Sequence, residues 1–220
     1  MKEFNEGTPI LDVPYYKQTH FATCGSAVLM MVMKYWDKSF EMSKEREFEL
    51  WKRSNTILFM GGILQFGLAK TALEMGYKPD IYQKARLSEN YFHFKRIINY
   101  FEQIVSYNIR STRIPIIYGK KVLDVIYKAL SDKIPPIVFL NLHPIIGENV
   151  FHWVVVTGLD KENVFVNDPY IPNKSNLTIK KNHPVNINKF KEAIATDQYT
   201  KMRFPYSLLR LPPCAVLIKK

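Results

Sequence analysis

Cysteine is nearly absent from this chain: 220 residues contain two, Cys24 and Cys214. Two thiols so far apart make no disulfide framework, so each needs its own explanation. Acidic side chains are also in short supply, 20 against 31 Lys and Arg, for a formal net charge of +11. The basic residues are scattered, with Lys44 and Arg46, Lys52 and Arg53, and Lys120 and Lys121 lying among interleaved acids. That pattern reads as a solvated basic surface, and nucleic acid is disfavoured as a partner despite the charge. Long hydrophobic runs are missing as well. The apolar stretches at 27–33 and 134–142 are too short to span a bilayer. Residues 1–10 have no apolar core or cleavage site of a secretory signal. A soluble, cytoplasmic protein without a membrane partner is the expectation. Zinc-finger spacings, phosphate-cradling loops and dinucleotide fingerprints are all lacking, so no cofactor is expected. No two His or carboxylates share metal-ligand spacing, so no metal is expected either.

What is present is ordinary globular chemistry, 47% hydrophobic and 14% aromatic, in a length that suits one domain with a substantial core. Residues 1–20 read as extended, with Pro14 preventing a helix. Residues 24–36 follow as a helix that is apolar on all sides over 27–33, which marks it as buried. Residues 42–51 and 63–75 read as further helices, the second closed by Gly76, with Gly61-Gly62 between them. A short strand at 77–82, an aromatic-rich helix at 89–107, a strand at 114–118 and a helix at 122–130 come next. Strand character then dominates: 137–142, a loop at Pro144–Asn149, 151–159, and 164–166 after a turn. A polar stretch over 170–200 holds a short helix at 187–195, and 208–218 supplies a last strand. Helices first and an antiparallel sheet second is an α+β layout. The whole chain, 1–220, reads as a single domain, with helical insertions at 37–60 and 83–130.

A thiol nucleophile needs a site that stabilises its thiolate, an imidazole nearby, a group that orients the imidazole, and donors for an oxyanion. Cys24 stands at the start of the buried helix, where free backbone amides and the helix dipole favour negative charge. Gly25 is expected to keep the approach to the sulfur open. His152 begins the strand 151–159, with Phe151 and Trp153 beside it. Asp168 ends the following strand and, across a short turn, comes into rough register with His152; Asn167 is the alternative partner for the ring. The Gln18 side-chain amide lies close enough in sequence to join the Cys24 amide as an oxyanion donor. Each residue alone has a plainer explanation: packing for Cys24, a structural strand histidine for His152, a turn for Asp168-Pro169. Cys214, between Pro213 and Ala215, reads as a small core residue. Tyr15, Tyr16 and Trp153 read as core or as cleft lining. His20 lies near the nucleophile, His143 in a neighbouring strand, and His93 and His183 on the surface.

The order Gln18-x5-Cys24-Gly25, then His152 heading a hydrophobic strand, then Asp168-Pro169, resembles the peptidase C39-like branch of the papain-like cysteine peptidases. The stretch LDVPYYKQTHFATCGSAVLMMVMKYW resembles that family's nucleophile motif, and FHWVVVTGLDKENVFVNDPY its His–Asp motif. The resemblance implies a papain-like fold: a helical N-terminal part, its nucleophile helix buried, packed on a C-terminal antiparallel sheet. It implies Cys24 as nucleophile, His152 as general base, Asp168 as orienter and Gln18 as oxyanion donor, acting on a peptide or amide substrate. The best-known members are fused to exporters and cut leader peptides after a double glycine. This chain carries no transporter segment, and its own Gly61-Gly62 reads as a helix start. Two other readings stay open: an acyltransferase or amide-bond-forming enzyme using the same residues, and a non-catalytic module binding an anionic partner.

Overall fold

The computed structural model describes residues 7–54, 62–86, 113–170, 181–198 and 211–220, with positions 89, 96, 100 and 103 between them. His93, Gly61 and most of the helix expected over 89–107 lie outside the described residues. The described α-helices with defined bounds are α1 (Cys24–Trp36), α2 (Lys44–Ser54), α3 (Gln65–Glu74), α4 (Val122–Ser131), the short α5 (His143–Ile146) and α6 (Ile187–Ile194), and a 3-10 turn follows at Thr196–Gln198. Seven strands, β1 (Lys78–Gln83), β2 (Ile116–Tyr118), β3 (Ile137–Asn141), β4 (Phe151–Leu159), β5 (Asn163–Asn167), β6 (His183–Asn186) and β7 (Cys214–Lys219), form one sheet.

The sheet runs β2-β1-β7-β3-β4-β5-β6. Every described pairing is antiparallel except β1 with β2. The α+β class stands, but the sheet is not confined to the C-terminal half. Strand β1 pairs along its whole length with the last strand, from Lys78↔Lys219 to Gln83↔Cys214. Periodicity reports that a segment is a strand and says nothing about which distant partner completes its hydrogen bonds.

Helix α1 is the centre of the core. Ala27 to Met33 are all fully buried, which contributes roughly 2 kcal/mol for each large side chain. Such a helix has no polar face to leave in water, so it is covered by α2, α3 and the sheet. Helix α2 lies tightly on α3: a Cβ on Gly67 would meet the Ser54 carbonyl oxygen at 1.9 Å, so only glycine permits this approach. At the same crossing the Ser54 hydroxyl donates to Thr71 Oγ1 at 2.8 Å.

The extended segment before α1 runs along the far end of β4, where Thr8 and Leu11 donate backbone bonds to Leu159 and Thr157 at 2.8 and 2.7 Å. Two local readings change. The loop predicted at Pro144–Asn149 begins as α5, a helical turn closed by Gly147 in the left-handed conformation (φ 79°), and His143 opens that turn rather than sitting in a strand. His183, read as a surface residue, is half-buried in β6, paired with Val166 of β5.

Candidate active site

Cys24 is the first residue of α1, behind Thr23 in a non-helical conformation (φ −102°, ψ 13°). It is buried, with 7% of its surface exposed. Gly25 does not serve to open that approach. A Cβ there would lie 3.0 Å from Ile63 Cβ and 3.3 Å from Leu68 Cδ2, so the glycine instead lets α1 close on the lead-in to α3. The same lead-in is held from the sheet, because Trp153 Nε1 donates to the Ile63 carbonyl at 2.8 Å. Trp153 is therefore core, not cleft lining.

His152 is the second residue of β4, paired with Leu140 of β3, and is buried. Its Nε2 lies 2.7 Å from Asp168 Oδ1. That oxygen also accepts the Tyr170 amide at 2.8 Å, which fixes the carboxylate on the turn after β5. With Nε2 taken by Asp168, Nδ1 is the ring nitrogen left for Cys24, whose side chain is close enough to bear on the imidazole. Burial by itself would push the imidazole pKa down. The charge and hydrogen bond of Asp168, followed by those of Cys24, outweigh burial and raise it to about 10. The arrangement thus favours an imidazolium held between a carboxylate and a sulfur.

Asp168, not Asn167, meets the ring. Asn167 is committed elsewhere: its Nδ2 donates to the Val13 carbonyl at 3.0 Å, and its Oδ1 accepts from the Asn182 amide at 2.7 Å. These bonds tie the N-terminal segment and the residues before β6 to the end of β5.

Gln18 is brought to the same place. Its backbone amide donates to the Pro169 carbonyl at 3.0 Å, joining the loop before Cys24 to the turn that carries Asp168. Its side chain, however, is turned into its own loop, with Nε2 donating to the carbonyls of His20 at 2.8 Å and Phe21 at 3.3 Å. Its Oε1 is buried and has no partner among the described residues. An oxyanion would therefore have to draw one Nε2 hydrogen away from a carbonyl.

Sequence reasoning singled out Tyr15 and Tyr16 but missed Tyr170 and Glu148 beside the pair. The Tyr170 ring stands edge-on to His152 at 5.4 Å between centroids, and its hydroxyl donates to Glu148 Oε2. Burial, with the neighbouring Glu148 and Asp168 charges, keeps this phenol protonated. Tyr15 is half-buried, and its pKa is raised first by burial and then by the Asp168 charge. Tyr16 donates to Glu47 at 3.0 Å rather than lining a cleft. An aromatic directly after Asp168-Pro169 was the available signal for Tyr170. Of the other candidates, His20 packs on Phe21 at 4.3 Å, and Cys214 is buried and unpaired. Among the described residues no three His, Cys, Asp or Glu side chains converge as a metal site.

A cysteine at the head of a buried helix, packed on a sheet that carries a paired histidine and aspartate, is in keeping with a papain-like fold. The chain belongs to the Peptidase_C39 like family, whose model matches residues 13–204. Among solved structures it is similar to a C39-like peptidase from Bacillus anthracis, at 14% identity over 98% of each chain with a TM-score of 0.57. That likeness supports the papain-like fold. Also similar is a double glycine motif protease from an AMS/PCAT transporter, solved with its leader peptide, at 15% identity over 97% of each chain and a TM-score of 0.49. The peptidase domain of Streptococcus ComA, a bi-functional ABC transporter, matches at 16% identity over 93% of this chain and 96% of that one, again at 0.49. Among curated proteins none matches this chain. Among the described residues no helix is long and apolar enough to cross a membrane.

Proposed function

We propose that this protein is a cysteine hydrolase of peptides or amides, working as one domain over residues 1–220 through an acyl-thioester on Cys24. The observation that carries the reading is the 2.7 Å bond from the buried His152 ring to Asp168, with Cys24 near enough to influence the same ring. Membership of a peptidase family supports it.

In the first half-reaction the Cys24 sulfur, its proton held on His152, attacks the substrate carbonyl and a C–S bond forms. The oxyanion is met by the Cys24 backbone amide and by a hydrogen of Gln18 Nε2, the one now spent on the 3.3 Å bond to Phe21. The C–N bond then breaks, and the His152 Nδ1 proton goes to the leaving amine. In the second half, water gives a proton to His152 and adds to the thioester, and the thiolate departs from the free acid. Asp168 keeps the ring oriented and its positive form stable throughout. Two unpaired cysteines suit a reducing compartment such as the cytoplasm. Retention of Gln18, Cys24, His152 and Asp168 together weighs against a merely binding module.

The same acyl-enzyme could pass its acyl group to an amine, which would make the protein a transferase. A peptide library incubated with the protein, with and without an added amine, separates the outcomes by mass spectrometry of the products. New free carboxylates that vanish in Cys24→Ala support hydrolysis, and amine adducts that vanish in the same variant support transfer. Products that persist in Cys24→Ala refute both.

A further inference from the structure

Glu47 is fully buried, and among the described residues no Lys or Arg pairs with it. Its carboxylate is instead filled by donors from a single segment. Oε1 accepts the Thr19 amide at 2.8 Å and the Thr23 hydroxyl, while Oε2 accepts the Thr19 hydroxyl at 2.7 Å and the Tyr16 hydroxyl at 3.0 Å. A carboxylate has about four lone-pair positions, so this one is saturated. All four donors lie between residues 16 and 23, the segment that carries Gln18 and delivers Cys24. Helix α2, which holds Glu47, is itself fixed by its close crossing with α3 at Gly67.

Thr23 occupies the N-cap position of α1, where a threonine ordinarily turns its hydroxyl onto the first-turn amides. Here it makes no such bond. Its single hydroxyl proton faces the His20 carbonyl at 2.7 Å and Glu47. The first-turn amides that such a cap would take, those of Gly25 and Ser26, consequently have no bond from it.

We propose that Glu47 is a positioning residue for the nucleophile. It holds the Thr23 hydroxyl off the head of α1 and fixes the 16–23 segment, leaving the first-turn amides free to face the Cys24 sulfur and a substrate oxyanion. The inference rests on the hydrolase reading above. It also gives a purpose to part of the stretch 37–60, which in sequence reads as an insertion.

The test is alkylation of the folded protein by iodoacetamide at neutral pH, followed residue by residue, with Cys214 as an internal monitor of loosening. Glu47→Leu keeps the volume and removes every acceptor; Cys24 alkylation is expected to fall about tenfold while Cys214 stays protected. Glu47→Gln retains an acceptor for the Thr19 amide, and its NH2 donates to the Tyr16 and Thr19 hydroxyls, which can accept. That variant should stay within about threefold of the native rate. Should Glu47→Leu lose its native circular dichroism, Thr19→Val carries the test: it removes one of the bonds by which Glu47 holds the segment and keeps the Thr23 hydroxyl, with an expected loss of about threefold.

Unchanged Cys24 alkylation in a folded Glu47→Leu or Thr19→Val protein overturns the proposal. So does a rise at Cys24 and Cys214 together, the mark of a purely structural role. If native Cys24 reacts no faster than it does in the denatured chain, the hydrolase reading itself fails. If native Cys24 is fast and the folded variants are equally fast, the role of Glu47 fails alone.

Discussion

Cys24 and Cys214 are both buried and unpaired, and each opens an element of regular structure, yet their surroundings differ in kind. Cys214 opens β7, in register with Gln83 of β1. Burial pushes its thiol pKa far up. Cys24 opens α1, whose first amides have no side-chain cap, and it faces the buried His152–Asp168 pair. Burial alone therefore does not make a cysteine inert or reactive; the difference lies in what the sulfur faces.

That contrast can be broken first at the sulfurs themselves. Cys24→Ala should abolish hydrolysis, a loss of about 10^4-fold or more, whereas Cys214→Ala should leave the rate within about twofold, both read from product formation on a cleaved peptide. The imidazole comes next. In His152→Gln the alkylation rate of Cys24 should drop about 100-fold with Cys214 unaltered, because the proton acceptor is gone. Asp168→Asn should cost about tenfold in the same assay, since an amide still reaches Nε2 but brings no charge to favour the imidazolium.

The pair also sets a pH dependence. The His152 pKa is raised in the folded protein from 6.5 to about 10. The stability it contributes is therefore fully present below about pH 6.5 and is lost as pH rises through about 10. Denaturant unfolding of native protein and His152→Gln should accordingly differ most at about pH 6 and converge at alkaline pH. The smallest effect is expected in the other region: Cys214→Val, close in volume, should change unfolding free energy by less than about 1.5 kcal/mol.

The parts of this site that are local in sequence were legible there. The helix predicted over 24–36 and the strand predicted over 151–159 coincide with α1 and β4. An apolar run behind Thr23-Cys24 and a β-branched run behind His152 leave little choice of structure. The joint order of Cys24, His152 and Asp168 further marked the family. What was illegible depends on distant partners or on the direction of a single side chain. Strands β1 and β2 enter the sheet through pairings with β7 and with each other that no local pattern announces. The amide of Gln18 bends back to the His20 and Phe21 carbonyls, a choice made by loop geometry. Glu47 left a trace: helical spacing puts it on the buried stripe with Leu50 and Ser54, and a charge on such a stripe calls for partners.

The most direct measurement compares the two cysteines in one sample. Native protein treated briefly with iodoacetamide at neutral pH, then digested and analysed by mass spectrometry, should carry the label on Cys24 with Cys214 spared, and His152→Gln should lose most of that label. Label on Cys214 with Cys24 untouched, or label on Cys24 that is indifferent to His152, would contradict the pairing of sulfur and imidazole on which the function rests.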